Sequence, residues 1–234
     1  MTSHTAAATA DAHGHDDGHV HHHYTTTGLD NRKIAIWAFI GSECMLFASL
    51  ISTYLIYKGK SIVGPFPHET FTDEAGKVFP AILDIPITSA STFVLLMSSL
   101  AMVLGLQAVQ LRGTALPDGA SWWTRIQRNS QLWIGMTALL GATFLGFQAY
   151  EFTAFVREGL TIKTNLFGSS FFVLTGFHGA HVTVGVLWLM SLLYIDRKRG
   201  LGPKDELIVD IAALYWHFVD VVWIAIFTLV YLIK

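Results

Sequence analysis

Long apolar stretches separated by short polar clusters organise this chain. The runs are Ile34–Tyr57, Pro86–Leu111, Gln131–Val156, Leu166–Ile195 and Leu207–Ile233. Each reaches the roughly 20 residues that a helix needs to cross the hydrocarbon core of a bilayer. Strand-like alternation is absent from them. Backbone groups in lipid must find their hydrogen bonds within the segment, so the runs are predicted to be helices. The predicted fold class is therefore all-α: a polytopic membrane helix bundle with five transmembrane helices. Residues 31–234 form the membrane unit, preceded by a polar tail over residues 1–30. That tail holds His4, His13, His15, His19, His21, His22 and His23 among small residues and aspartates. It has nothing with which to build a core and is predicted to be disordered. A solvated, dispensable tail is preferred over a loose metal store, which histidine tracts can also form.

The segments between the runs set orientation. With the N-terminus inside, the inner segments carry Arg32, Lys33, Arg112, Arg125, Arg128, Arg197, Lys198, Arg199 and Lys204, against Lys58, Lys60, Lys77, Arg157, Lys163 and Lys234 outside. The excess inside predicts a cytoplasmic N-terminus. Residues 58–85 form an outer loop with Pro65, Pro67 and Pro80, and Pro86 suits the first turn of the helix that follows. In the inner loop 112–130, Trp122 and Trp123 beside Arg125 and Arg128 have the composition of an interfacial anchor. Composition agrees with this picture: 52% of residues are hydrophobic and 14% charged. The formal net charge of −2 gives no sign of a nucleic-acid partner. Cys44 is the single cysteine, which excludes a disulfide within the chain. Residues 1–30 lack the apolar core of a cleavable signal peptide.

Candidate chemistry lies inside the runs. Glu43 stands nine residues past Ile34, about 13 Å into its span at 1.5 Å per residue. An intramembrane carboxyl at that depth is by default a functional candidate; the alternative is a glutamic acid hydrogen-bonded across a helix interface. His178 and His181 fall at i and i+3 between Gly176, Gly179 and Gly185, which permit close helix approach. His217 and Asp220 share one helix face in the stretch Tyr215–Trp223. An aspartate at the centre of an inserted helix costs about 2.5–3.5 kcal/mol, so the protein must receive that face. Gln148 and Glu151 share a face towards the outer end of the third run, where anchoring is preferred over catalysis. The second run is rich in small and hydroxyl residues (Ser98, Ser99, Ala101, Gly105) and is read as a packing surface without chemistry. Arg197, Lys198 and Arg199 close the fourth run as a topology anchor or as candidate lipid-headgroup contacts. Residue types alone leave four readings open. They are a bis-histidine haem between His178 or His181 and His217, a di-iron bundle lacking the usual Glu-x-x-His pairs, a metal-ion transporter using Glu43, His217 and Asp220, and structural polar pairing.

Four motifs narrow the choice. Phe39–Glu43, the Glu-Phe pair within Gly146–Phe152, His178-Gly179-Ala180-His181-Val182 with Gly185, and Tyr215–Trp223 occur in one order and spacing. On these, the chain from about residue 30 to residue 234 resembles subunit III of the haem-copper terminal oxidases, in the five-helix bacterial form that lacks the first two of seven helices. The resemblance implies a multi-pass protein of the bacterial plasma membrane with no catalytic residue and no cofactor or metal of its own. Haem, copper and dioxygen reduction would belong to partner subunits, with subunit I the main contact, subunit II and other oxidase subunits nearby, and a respiratory supercomplex as the wider assembly. Bound phospholipid and support of proton uptake are implied as well. Glu43 matches the family's intramembrane carboxylate, known for carbodiimide reactivity. Glu151, His178, His181, His217 and Asp220 would form a structural polar network. A glutamate at position 43 favours an aa- or caa-type cytochrome c oxidase; a bo-type quinol oxidase, whose subunits III can share a histidine-rich tail, is the alternative. A metal-ion transporter or a membrane cytochrome b stands behind both. Two departures limit the transfer. The loop 196–207 lacks the histidine-rich segment of mitochondrial members, and without the first two helices the lipid cleft must be smaller or completed by another chain.

Overall fold

The computed structural model describes residues 30–233 apart from 62–63, 73–75, 77, 80, 82, 117–118 and 120. The histidine-rich tail, read from the sequence as disordered, lies outside the described residues. The protein is all-helical in its membrane portion. The five long helices are α1 (Asn31–Tyr57), α2 (Ile85–Gln110), α4 (Ser130–Arg157), α5 (Leu166–Arg199) and α6 (Glu206–Phe227). All are long and apolar enough to span a membrane. Helix α6 opens with a 3-10 turn, Pro203–Asp205, and closes with a π turn, Thr228–Leu232. Two elements were not predicted. The six-residue helix α3 (Trp122–Gln127) sits in the loop between α2 and α4, and β1 (Phe71–Thr72) pairs antiparallel with β2 (Val78–Phe79) in the loop between α1 and α2.

Short polar side chains fix where the helices begin. Asp30, Asp84, Asn129 and Asn165 each accept a hydrogen bond from a backbone N–H of the first turn, at 2.9, 3.3, 3.2 and 2.7 Å. These groups have no partner within the helix, so the caps replace water that lipid would not supply. Helix α5 stops at Gly200, whose φ of 76° suits a residue without Cβ. In α3, Trp122 and Trp123 are exposed and stacked at 4.3 Å, in keeping with an interfacial anchor.

Helix α6 is central. It packs on α2, α5 and α1, while α4 packs on α2 and α5. Trp216 and Trp223, two turns apart on α6, are buried, and both indole N–H groups donate into α2: Trp216 to Ser98 Oγ and Trp223 to Thr92 Oγ1, each at 2.9 Å. The glycines of the neighbouring helices make room for them. A Cβ on Gly141 or on Gly185 would lie 2.5 or 2.8 Å from the Trp216 ring. Small residues thus permit an aromatic core between helices that share no hydrophobic driving force in lipid.

Candidate functional site

The polar side chains singled out from sequence form separate stations rather than one network. The first joins α1 to α5. Glu43 Oε2 lies 3.0 Å from His181 Nε2, with both side chains largely covered. His181 Nδ1 faces the Phe177 carbonyl at 2.8 Å and must therefore carry a proton. The proton between Nε2 and Glu43 then belongs to the pair: neutral acid on neutral imidazole, or carboxylate on imidazolium. Either way the pair has no net charge, which is what a hydrocarbon surrounding favours. Tyr215 of α6 donates to the His181 carbonyl at 3.0 Å, tying the same turn to a third helix.

The second station joins α2 to α6. Ser99 Oγ lies 2.9 Å from His217 Nδ1 and donates to Asp220 Oδ2. Asp220 is buried, whereas His217 and Ser99 reach the outer surface of the bundle. The third station joins α2 to α4. Thr88 donates to Glu151, and the Tyr231 hydroxyl hydrogen-bonds the same carboxyl. Glu151 is buried at 5% exposure, so the expectation of a charge eased by the outer interface is corrected: the carboxyl faces the protein interior. One turn further in, Gln148 donates to the Thr175 carbonyl at 2.7 Å.

His178 behaves differently. It is fully buried, stacked on Trp223 at 4.9 Å and met edge-on by Phe144 at 5.8 Å. Neither ring nitrogen has a hydrogen-bond partner among the described residues. The expectation that His178 joins a polar network is therefore corrected: rings on both sides hold it as an aromatic. His178 is thus engaged with Trp223 and Phe144, and His181 with Glu43. Among the described residues, no three His, Cys, Asp or Glu side chains are grouped as a metal-ligand set.

Two features escaped the sequence reading. Helix α2, assigned packing alone, supplies the hydroxyl partners Thr88, Ser98 and Ser99. The signal was present in its serines and threonines, but their partners lie more than sixty positions away. The second feature is a clamp at the C-terminal end of α5. Asp196 accepts from Arg112, from Ser130 Oγ at 2.6 Å and from the Leu201 N–H at 2.7 Å, while Arg112 also donates to the Leu201 carbonyl at 2.8 Å. Arg197, Lys198 and Arg199 are exposed beside it; Arg199 reaches Asp205 at 2.9 Å.

A bundle of five helices long and apolar enough to cross a membrane, joined by polar contacts between helices, defines a polytopic membrane protein. The family model for cytochrome c oxidase subunit III matches residues 118–234. Over 202 residues the chain is 39% identical to cytochrome c oxidase subunit 3 of Bacillus sp. (strain PS3), covering 86% of each chain. It is 38% identical over 199 residues to quinol oxidase subunit 3 of Bacillus subtilis (strain 168), covering 85% of each. A cytochrome bo(3) ubiquinol oxidase subunit 3 of Pseudomonas aeruginosa is 33% identical over 223 residues, 94% of this chain and 93% of the relative. The chain belongs to the cytochrome c oxidase subunit III family of the haem-copper oxidases.

Proposed function

We propose that this chain is a non-catalytic, cofactor-free subunit of an aa- or caa-type cytochrome c oxidase in a bacterial plasma membrane, with its N-terminus in the cytoplasm. In this reading it packs chiefly against subunit I, and subunits I and II hold the haem and copper. Its role is to steady the complex, its phospholipids and its proton uptake during dioxygen reduction. The observation that carries the reading is the Glu43–His181 contact. It joins the carboxylate motif of α1 to the histidine motif of α5 in one interhelical contact with no net charge. Arg197, Lys198 and Arg199, exposed at the inner end of α5, would contact anionic headgroups.

The electron donor is the finer question, because cytochrome c oxidase and quinol oxidase subunits match the chain almost equally. Oxygen uptake by the complex purified through a tag on this chain separates them. Turnover with reduced cytochrome c is expected; turnover with quinol alone would assign the bo-type reading instead.

Glu43→Ala removes one interhelical hydrogen bond, worth about 0.6 kcal/mol on average in membrane proteins. Initial oxidase turnover in the assembled variant is expected to stay largely intact, while activity during sustained turnover decays sooner. Complete loss of initial dioxygen reduction in an assembled complex would show that Glu43 takes part in the chemistry.

A further inference from the structure

The Ser99 station reaches the surface of the bundle with an unfilled position. Ser99 Oγ bridges Asp220 Oδ2 and His217 Nδ1; Nε2 is the acceptor if Nδ1 carries the ring proton and the donor if it does not, and in either tautomer it is left without a partner. Nε2 makes no hydrogen bond among the described residues and is not enclosed by them. His217 stands eleven residues past Glu206, about 16 Å into the membrane at 1.5 Å per residue. Half of a hydrocarbon core of about 30 Å is about 15 Å, so the ring sits near the bilayer centre. Acyl chains offer no hydrogen-bond partner there, and headgroups lie too far away. Glu151, by contrast, is buried and closes within the chain on Thr88 and Tyr231.

The surroundings of His217 fit a helix. Along α6, Leu214, His217, Val221 and Ile224 follow one another at spacings of three and four, forming an outward stripe. Leu100 and Val103 extend the apolar surface onto α2, at 54% and 50% exposure. The result is an apolar groove with one hydrogen-bonding position at its middle. We propose that the α2–α6 groove docks a transmembrane helix of a partner oxidase subunit, which presents a hydroxyl or carboxamide group to His217 Nε2. This rests on the oxidase-subunit reading above and specifies which face of the chain meets its partner.

The test uses the intact oxidase, purified through a tag on this chain. A photoreactive p-benzoylphenylalanine replaces Val221 or Leu100 in the groove, or Leu139 on the outward face of α4 as a reference. Both groove positions are expected to cross-link to one and the same partner polypeptide, and Leu139 not to reach it. Groove cross-links to lipid alone, to a second copy of this chain, or to no partner that Leu139 fails to reach would overturn the docking face. The polar contact is read separately, from the rate at which the chain is lost from the complex during detergent washing. His217→Phe is expected to leave about threefold faster, the scale of one membrane hydrogen bond. His217→Gln, which keeps both a donor and an acceptor, is expected to stay near the parent rate. Equal behaviour of the two variants would overturn the hydrogen bond. Should no haem-bearing polypeptide accompany the tagged chain, the oxidase reading itself fails; should one accompany it while the groove labels lipid, only the docking face fails.

Discussion

Arg112→Leu is expected to destabilise the chain by about 3 kcal/mol, the lower end of the range for breaking a buried ion pair from one side. The Asp196 side chain is 0% exposed and the Arg112 side chain 41% exposed, so the cost falls on the aspartate. Without the guanidinium, its carboxylate keeps Ser130 and the Leu201 N–H, but no positive charge is left against it. The Leu201 carbonyl loses its donor at the same time. The more exposed pair Arg199–Asp205 at 2.9 Å, with side chains 59% and 15% exposed, has the same chemistry with less burial, and breaking it is expected to cost about 1 kcal/mol. Detergent-titrated unfolding of the two variants measures the difference. Removing both members of the clamp, as Arg112→Leu with Asp196→Leu, is expected to recover much of the loss, since apolar replacement of a whole buried pair is often near neutral. A single-variant cost no larger than that of the more exposed pair would show that the clamp does not hold α2, α4 and α5 together.

Gly141→Ala is expected to cost about 1–3 kcal/mol, the usual scale of overpacking a filled core. The added Cβ would stand 2.5 Å from Trp216 Cη2 and 2.9 Å from Cζ2. The indole cannot retreat, because Gly185 of α5 backs it on another side, where a Cβ would lie 2.8 Å from Cζ3. Any shift also strains the Trp216–Ser98 hydrogen bond of 2.9 Å. Gly146 lies on the same helix with nothing within 4 Å of its ideal Cβ position. Gly146→Ala is expected to be neutral or slightly stabilising, because alanine is the better helix former. Unfolding midpoints of the two variants, measured side by side, check the contrast. Equal midpoints would mean that Trp216 does not fill the space between the two glycines.

Much of this architecture was legible from the chain alone. Hydropathy sets the five spans within a few residues of the observed helices, because in lipid an apolar run has almost no alternative to helix. Helix ends moved where caps decide them: Asp30 starts α1 before Ile34, and Gly200 lets α5 run to Arg199. The short helix α3 and the β1–β2 pair were missed because neither carries a periodic apolar signal. The site was legible in its residue types and not in its pairings. Glu43, His181, His217 and Asp220 stand out because polar groups in apolar runs are costly, yet the sequence does not say that Glu43 meets His181 while His217 meets Ser99. His178 shows the opposite failure. Its neighbour at i+3 is a hydrogen-bonding histidine, and only the rings of Trp223 and Phe144 reveal that it is held as an aromatic side chain.

The central claim is that this chain serves a haem-copper oxidase without carrying a cofactor of its own. The most direct measurement is a pair of reduced-minus-oxidised spectra, one of the complex purified from native membranes through this chain and one of the chain after separation from it. The expected result is strong haem absorption in the complex, haem-bearing partner subunits in stoichiometric amount, and no Soret band in the separated chain. Stoichiometric haem retained by the separated chain, or a preparation free of any haem-bearing partner, would contradict it.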